Sequence, residues 1–168
     1  DIMRVIKKVL KDPPTIKIHF LENNIHFIKK LNEQFVNATF HSDIETIPDE
    51  FSIYIANEFF DALPITQLKK IKNKLTKLVI KKDSNGKLQQ EFMEYKNAIK
   101  NQDLLDIDLK DGDIYEYSKQ LNNIIQIIAD KLKQFGGFIY FADYGYTKLN
   151  YKSTLSSMKN NKVTALVE

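Results

Sequence analysis

The sequence predicts an α/β fold with a mostly parallel sheet and helices on both faces. Three observations predict this class. Strand-like and helix-like patterns alternate over the first third of the chain, which is typical of parallel strands joined by helices. The run FSIYIA at residues 51–56 has no polar alternation, as expected of a strand that is covered on both faces. Strand-like runs also end abruptly in polar clusters, and the carboxyl edge of such a sheet is where ligands bind.

The elements before this run are predicted to be helix, strand, helix and strand. Residues 1–10 have apolar positions at helical spacing, and a proline pair then ends that pattern. Residues 15–21 predict a strand, residues 25–35 a helix with one apolar stripe, and residues 36–40 a short strand.

After Pro64 the pattern changes, and we expect residues 65–112 to form an inserted hairpin followed by a surface connection. Residues 75–80 and 88–95 flank the turn sequence DSNG, which suits an antiparallel hairpin.

The last part of the chain returns to helix and strand. Residues 113–135 predict a long amphipathic helix whose apolar stripe starts at Tyr117, and two glycines follow its end. Residues 138–142 predict a strand, and the polar stretch from residue 147 to the end predicts no regular element.

Composition excludes several classes of protein. The chain has 168 residues, which suits one domain, and its 43% hydrophobic and 28% charged residues are ordinary for a globular protein. Without cysteine it has no disulfides, thiolate metal sites or cysteine nucleophiles. No apolar run approaches the ~18 residues that span a bilayer, so membrane insertion is not expected. The net charge of +3 gives little support to nucleic-acid binding.

The polar cluster after the 51–56 run is the candidate site. Asn57, Glu58 and Asp61 come where the predicted strand ends. The alternative is a strand-to-turn junction in which Asn57 and Asp61 cap the turn. Glu22 follows the 15–21 strand, a position from which a carboxylate binds the ribose hydroxyls of a nucleotide. Its alternative is a solvated residue in a helix-capping region.

Other polar groups carry less information. The three histidines, His19, His26 and His41, lack metal-ligand spacing, and no metal site is predicted. Neither a G-x-S-x-G elbow nor a P-loop occurs, which removes the common hydrolases and nucleotide triphosphatases. The lysines of the expected insertion form either an acid-binding patch or, as we favour, a solvated hairpin face. They are Lys69, Lys70, Lys72, Lys74 and Lys77.

Three stretches resemble one known family. The string NEFFDALP from Asn57 to Pro64, with Gln67 just after it, is similar to the signature of the MidA family of S-adenosylmethionine-dependent methyltransferases. Glu22 after IHFL resembles the acidic residue at the end of that family's second strand. The string GGFIYFADYGY resembles its later strand, which closes in an Asp-Tyr-Gly turn. The three matches occur in the family's order.

The resemblance implies a class I (Rossmann-like) methyltransferase that binds S-adenosyl-L-methionine at the carboxyl edge of its strands. Glu22 would then hold the ribose, and Ser42 with Asp43 would lie on the adenine side. Asn57, Glu58 and Asp61 would line the active site beside the methionine moiety or the acceptor, with Asn57 also counted among the cofactor-binding residues.

The family also implies an acceptor. Its mitochondrial members are complex I assembly factors, and family members are implicated in methylating an arginine of a respiratory complex I subunit. We therefore expect a protein arginine as substrate, in the mitochondrial matrix of a eukaryote or the cytoplasm of a bacterium. The alternative is a non-catalytic, chaperone-like assembly protein that keeps the fold. Methylation of nucleic-acid bases is disfavoured, because the [DNS]-P-P-[YF] tetrapeptide is absent from the strand tip.

One feature of the family is missing from the sequence. The glycine-rich loop that follows the family's first strand would lie just before Asp1, and that strand would lie between the strands carrying Glu22 and Asn57. We therefore expect residues 1–168 to be part of a methyltransferase domain that lacks its first strand and glycine-rich loop.

Overall fold

The computed structural model describes residues 8–9, 16–95, 108–148, 150–160 and 162–164. The chain divides into two compact units. Unit 1 comprises Asp1–Ile53 and Ile124–Phe138, and unit 2 comprises Tyr54–Asn123 and Ile139–Glu168. Each unit is described by itself. Most of the predicted opening helix and most of the predicted connection at 97–112 lie outside the described residues, although Lys8 and Val9 are helical.

The described elements are two α-helices, one short 3₁₀ helix and ten strands. In chain order they are β1 (His19–Leu21), α1 (Ile25–Gln34), β2 (Thr39–His41), the 3₁₀ helix (Ile44–Thr46), β3 (Ser52–Asn57), β4 (Thr66–Ile71), β5 (Lys74–Lys82), β6 (Leu88–Glu94), β7 (Ile114–Tyr117), α2 (Lys119–Phe135), β8 (Gly137–Ala142), β9 (Ser157–Lys159) and β10 (Lys162–Thr164).

Unit 1 contains a parallel strand pair with a helical crossover. β1 and β2 pair in parallel with His19 opposite Thr39 and Leu21 opposite His41. α1 connects them and begins at Asn24, whose side chain caps the first turn by accepting from the His26 N–H. The Phe20 ring packs against the rings of Phe35 and Phe40. The predicted strand, helix and strand are confirmed here, although β1 is shorter than 15–21 and β2 starts later than residue 36.

β3 and β8 form a second pair that is also parallel. The Ser52 N–H donates to the Gly136 carbonyl and the Glu58 N–H to the Ala142 carbonyl, so both strands run in the same direction. Covering of β3 on both faces, expected from its sequence, is not observed. Ile53 and Ile55 are 65% and 47% exposed, because alternate side chains of β3 point to an open face of this pair.

Unit 2 is built around a four-stranded antiparallel sheet of order β6-β5-β4-β7. The predicted hairpin is confirmed as β5 and β6, and the Asp83 carboxylate fixes its turn by accepting from the Asn85 and Lys87 N–H groups. Leu68 of β4 is completely buried. Because this sheet is antiparallel, the described sheets are mixed rather than mostly parallel.

β7 corrects the predicted helix at 113–135. Residues 114–117, IYEY, are β-branched and aromatic, and they pair with β4 instead of entering the helix, so Tyr117 belongs to a strand. The helix begins after Ser118, whose hydroxyl accepts from the Leu121 N–H. The local helical spacing was outweighed by pairing with a strand distant in the sequence.

The segment after β8 is more ordered than its sequence predicts. β9 and β10 form a short antiparallel pair. The Glu116 carboxylate of β7 accepts hydrogen bonds from the Gln67 side chain and from both the N–H and the hydroxyl of Thr154. Partial burial opposes ionisation of Glu116, but these hydrogen bonds outweigh it and lower its pKa.

Neither described helix is long and apolar enough to cross a membrane.

Candidate functional site

Glu22 lies at the carboxyl end of the β1–β2 pair. Its N–H donates to the His41 carbonyl at 3.0 Å, which extends the ladder by one residue. One carboxylate oxygen, Oε1, accepts from the Asn24 N–H at 2.7 Å and so holds the side chain beside the start of α1. This contact fits the alternative in which Glu22 belongs to a helix-capping region. A carboxylate nevertheless has about four acceptor positions, so Glu22 can still accept from two hydroxyl groups.

Ser42 and Asp43 follow β2 directly and therefore lie beside Glu22 at the same end of the pair. Both are exposed. The Asp43 carboxylate caps the 3₁₀ helix by accepting from the Glu45 N–H at 3.0 Å, and its carbonyl accepts from the Thr46 N–H. The structure thus brings together Glu22, Ser42 and Asp43 within unit 1.

Two histidines lie next to this loop, and sequence reasoning assigned them no role. His41 is 9% exposed. Its ring is hydrogen-bonded to His19 on one side, at 2.9 Å, and to the Thr46 hydroxyl on the other, at 2.7 Å. Burial and the neighbouring His41 lower the pKa of His19. We call these three residues the His19–His41–Thr46 network.

The second group of predicted residues lies at the carboxyl end of β3 in unit 2. Asn57 is the last residue of β3 and Glu58 follows it. Glu58 has a φ of +47°, in the left-handed region that side-chain-bearing residues seldom adopt. Its N–H donates to the Ala142 carbonyl at 2.9 Å, and this bond holds the residue in place. Such strain clusters at functional sites.

Asp143 organises the turn after Glu58. Its Oδ2 accepts from the N–H groups of Phe60 and Asp61 at 3.0 and 3.2 Å, and its Oδ1 accepts from the Tyr144 N–H at 3.0 Å. The Tyr144 hydroxyl donates to Asp61 Oδ2 at 2.6 Å. Asp143 therefore fixes the backbone at Phe60 and Asp61, and Tyr144 fixes the side chain of Asp61.

Asp143 and Tyr144 are absent from the sequence-based list of site residues, although a signal was present. They end a predicted strand in a polar cluster, and the carboxyl ends of parallel neighbours meet at one edge. The hydrogen bond to Asp61, followed by its charge, raises the pKa of Tyr144, and the charges of Asp143 and Glu58 act in the same direction. Glu58 and Asp61, with Asp143 beside them, therefore form a strongly acidic group, which we call the acidic turn.

This acidic turn suits a cationic ligand. Carboxylates bind a planar guanidinium through paired, charge-assisted hydrogen bonds. The alternative prediction was that Asn57 and Asp61 cap this turn. In the structure Asp143 caps it by accepting from the Phe60 and Asp61 N–H groups, and the Asp61 carboxylate instead accepts from the Tyr144 hydroxyl.

A sequence model of one protein family matches residues 1–167, and that family is described as "Putative S-adenosyl-L-methionine-dependent methyltransferase". The chain belongs to this family. The resemblance to MidA methyltransferases seen in the three motifs is thereby confirmed.

Named relatives agree with the family. The chain is 29% identical over 137 residues to the mitochondrial protein arginine methyltransferase NDUFAF7 homolog of Caenorhabditis elegans. This match covers 79% of the present chain and 32% of the relative. It is 30% identical over 131 residues to mitochondrial NDUFAF7 of Xenopus tropicalis, covering 78% of the chain and 30% of the relative. The chain therefore spans about a third of the length of the curated relatives it matches.

Solved structures show the same fold. The crystal structure of a COG1565 superfamily member from Burkholderia thailandensis bound to S-adenosyl-homocysteine has a TM-score of 0.56 at 17% identity, covering 77% of this chain and 34% of that one. A native structure of a COG1565 superfamily protein from the same organism has a TM-score of 0.58 at 17% identity, with coverages of 79% and 36%. This chain therefore shares with both neighbours a mixed α/β fold of parallel and antiparallel strands.

Proposed function

We propose that this chain is part of an S-adenosyl-L-methionine-dependent methyltransferase that methylates an arginine of a protein. The observation that carries the proposal is the acidic turn after β3, in a chain of a methyltransferase family. The named relatives are protein arginine methyltransferases, which favours an enzyme over the non-catalytic assembly protein.

The proposed architecture is a class I methyltransferase sheet with helices on both faces, into which residues 65–112 are inserted. For a eukaryotic protein we propose the mitochondrial matrix, in line with relatives that are named as mitochondrial. The resemblance to the MidA family implies a complex I subunit as acceptor, and it implies a cytoplasmic location for a bacterial protein.

The residues of unit 1 fit the nucleoside part of the cofactor. Glu22 offers acceptors to the ribose hydroxyls from a fixed position beside α1. Ser42 and Asp43 are exposed next to it and would contact the adenine. The family resemblance implies that Asn57 contacts the methionine part. When bound, S-adenosyl-L-methionine supplies an electrophilic methyl group on a sulfonium.

The acidic turn would hold the acceptor. Glu58 and Asp61 would accept hydrogen bonds from the guanidinium and orient one nitrogen toward the methyl group. Tyr144 keeps the Asp61 carboxylate in one orientation. Methyl transfer gains much of its rate from such positioning, because no covalent intermediate on the protein is needed.

Replacing Glu22 with alanine in the full-length protein is expected to weaken S-adenosyl-homocysteine binding about tenfold or more. The reason is the loss of hydrogen bonds to a charged acceptor, which contribute about 1.5–3 kcal/mol. Isothermal titration calorimetry measures the dissociation constant. Glu33→Ala is the matched control, because Glu33 is an exposed carboxylate on α1 of the same unit. Equal affinities for the two variants would remove Glu22 from the site, and no binding by the wild type would remove the proposed function.

A further inference from the structure

Tyr144 contacts the acidic turn from the segment that follows β8. It lies two residues after the end of that strand and is 75% exposed, so it adds little to the packing of unit 2. Its hydroxyl donates to Asp61 Oδ2 at 2.6 Å, a length typical of a bond between a hydroxyl and an ionised carboxylate. The hydrogen bond to Asp61, rather than packing, is therefore the main contribution of the Tyr144 side chain.

One carboxylate holds the backbone at both ends of this hydrogen bond. Asp143 Oδ1 accepts from the Tyr144 N–H at 3.0 Å, and Asp143 Oδ2 accepts from the Asp61 N–H at 3.2 Å. The Tyr144 and Asp61 side chains therefore start from fixed points. Neither N–H contact involves the phenol, so removal of the Tyr144 hydroxyl would leave this backbone in place.

The Tyr144 hydroxyl fixes the part of Asp61 that the backbone contacts leave free. An aspartate side chain rotates about two bonds, so a fixed N–H alone does not set the direction of the carboxylate. The contact of Oδ2 with Tyr144 gives the carboxylate one orientation. Within the described part of the chain, Asp61 Oδ1 accepts no hydrogen bond, and it is therefore available to a donor on a ligand.

The side chain of Glu58 lacks a comparable contact. Its N–H is held by the Ala142 carbonyl, but its carboxylate has no hydrogen-bond partner among the described residues. A longer side chain without such a partner retains several rotamers. Of the two carboxylates proposed to bind the guanidinium, Asp61 is thus the one whose orientation is already set before a ligand arrives.

We propose that Tyr144 is a positioning residue for methyl transfer, which holds Asp61 Oδ2 so that Asp61 Oδ1 binds the acceptor guanidinium in a single orientation. The inference rests on the proposed function, in which Asp61 binds the guanidinium. Tyr144 acts through Asp61 and needs no contact with the acceptor itself. A carboxylate that is oriented in advance does not have to reorient during the reaction, which lowers the barrier.

Loss of the Tyr144 hydroxyl should lower the rate of methyl transfer more than the affinity for either substrate. The Asp61 carboxylate would keep its charge and still attract the guanidinium, but in several orientations of which few are reactive. The value of kcat then falls while KM for the peptide changes little, because the lost interaction matters most in the transition state. A purely structural role would instead weaken cofactor binding.

The test compares Tyr144→Phe with the wild type, both as full-length protein, on a pool of synthetic peptides that each contain one arginine. We expect the single-turnover rate to fall about tenfold, the low end of the loss for a hydrogen bond to a charged group, because water competes at this exposed site. KM for the peptides and the affinity for S-adenosyl-homocysteine should stay within about twofold of wild type.

Tyr146→Phe is the matched control for this substitution. Tyr146 lies two residues further along the chain and is 69% exposed. Its hydroxyl has no hydrogen-bond partner in the parts of the chain that the structure describes. The control should therefore methylate at the wild-type rate, and a loss equal to that of Tyr144→Phe would overturn the proposal.

A double-mutant cycle shows whether Tyr144 acts through Asp61. Asp61→Ala removes the group that accepts from the Tyr144 hydroxyl. Adding Tyr144→Phe to Asp61→Ala should then cause no further loss of rate. A further loss of about tenfold in the double variant would overturn the proposal, because Tyr144 would then act by a route that does not include Asp61.

Crystal structures of the full-length protein supply a readout independent of activity. In the wild type the Asp61 carboxylate should have the one orientation that the Tyr144 hydroxyl sets. In Tyr144→Phe it should occupy more than one orientation, while the Asp61 N–H remains bound to Asp143. A single, unchanged Asp61 orientation in Tyr144→Phe would overturn the proposal.

The outcomes separate this inference from the proposed function. If the wild type methylates the peptides and Tyr144→Phe does so at the same rate, the role of Tyr144 is overturned and the methyltransferase stands. Loss of cofactor affinity in Tyr144→Phe would also overturn it, because the residue would then be structural. A wild type that binds S-adenosyl-homocysteine but methylates no peptide of the pool would remove arginine as the acceptor, and this inference with it.

Discussion

Replacing Gly137 with alanine is expected to destabilise the β3–β8 pair by about 4 kcal/mol, at the upper end of single-substitution effects. A Cβ at Gly137 would lie 2.0 Å from the Ser52 carbonyl oxygen and 3.0 Å from Leu132 Cδ2. The oxygen belongs to the paired strand, so relief requires that the strands separate. The φ of +131° adds strain for any residue with a side chain.

Urea unfolding of the full-length protein measures this effect, and the chain offers graded controls. Gly112 has a φ of +93° but open space around its Cβ position, so Gly112→Ala should show backbone strain alone, about 1 kcal/mol. Gly145 has open space and no positive φ, so Gly145→Ala should be nearly neutral. A Gly137→Ala stability equal to that of Gly112→Ala would show that β3 and β8 do not approach this closely.

Removing the negative charge of the acidic turn is expected to have the largest effect on activity. We expect Glu58→Gln and Asp61→Asn each to lower kcat for methylation of an arginine peptide about 100-fold, similar to the loss of one electrostatic contact in other active sites. The amides keep the size of the side chains but cannot neutralise a guanidinium. Affinity for S-adenosyl-homocysteine should change little, because the charge acts on the acceptor.

Mass spectrometry of the methylated peptide under single-turnover conditions measures this loss. Glu33→Gln removes an equal charge from an exposed position on α1 and should leave the rate unchanged. Full activity in both Glu58→Gln and Asp61→Asn would show that the guanidinium is bound elsewhere, even if the cofactor assignment holds.

The sequence was most informative where local pattern and family signature coincide. α1 and the β5–β6 hairpin were predicted nearly to the residue, since a helix cap and a turn sequence are local signals. The polar clusters after Leu21 and Ala56 were also found, because the sequence alone shows where an apolar run stops at polar residues.

Features that depend on distant pairing were missed. The sequence predicts a helix at β7, because the interaction that makes it a strand is with β4, nearly fifty residues earlier in the chain. Asp143 received no role, because its partners Phe60 and Asp61 lie 83 and 82 residues earlier in the sequence. The histidines gave no signal for the same reason, since His19 and His41 meet only once β1 and β2 have paired.

The left-handed backbone at Glu58 has a consequence for laboratory evolution. Glycine adopts that conformation freely, so selection for thermal stability alone should favour glycine or asparagine at this position and discard the carboxylate. Selection for turnover should retain glutamate and accept the strained backbone. Variants recovered at residue 58 would therefore reveal which property a selection had rewarded.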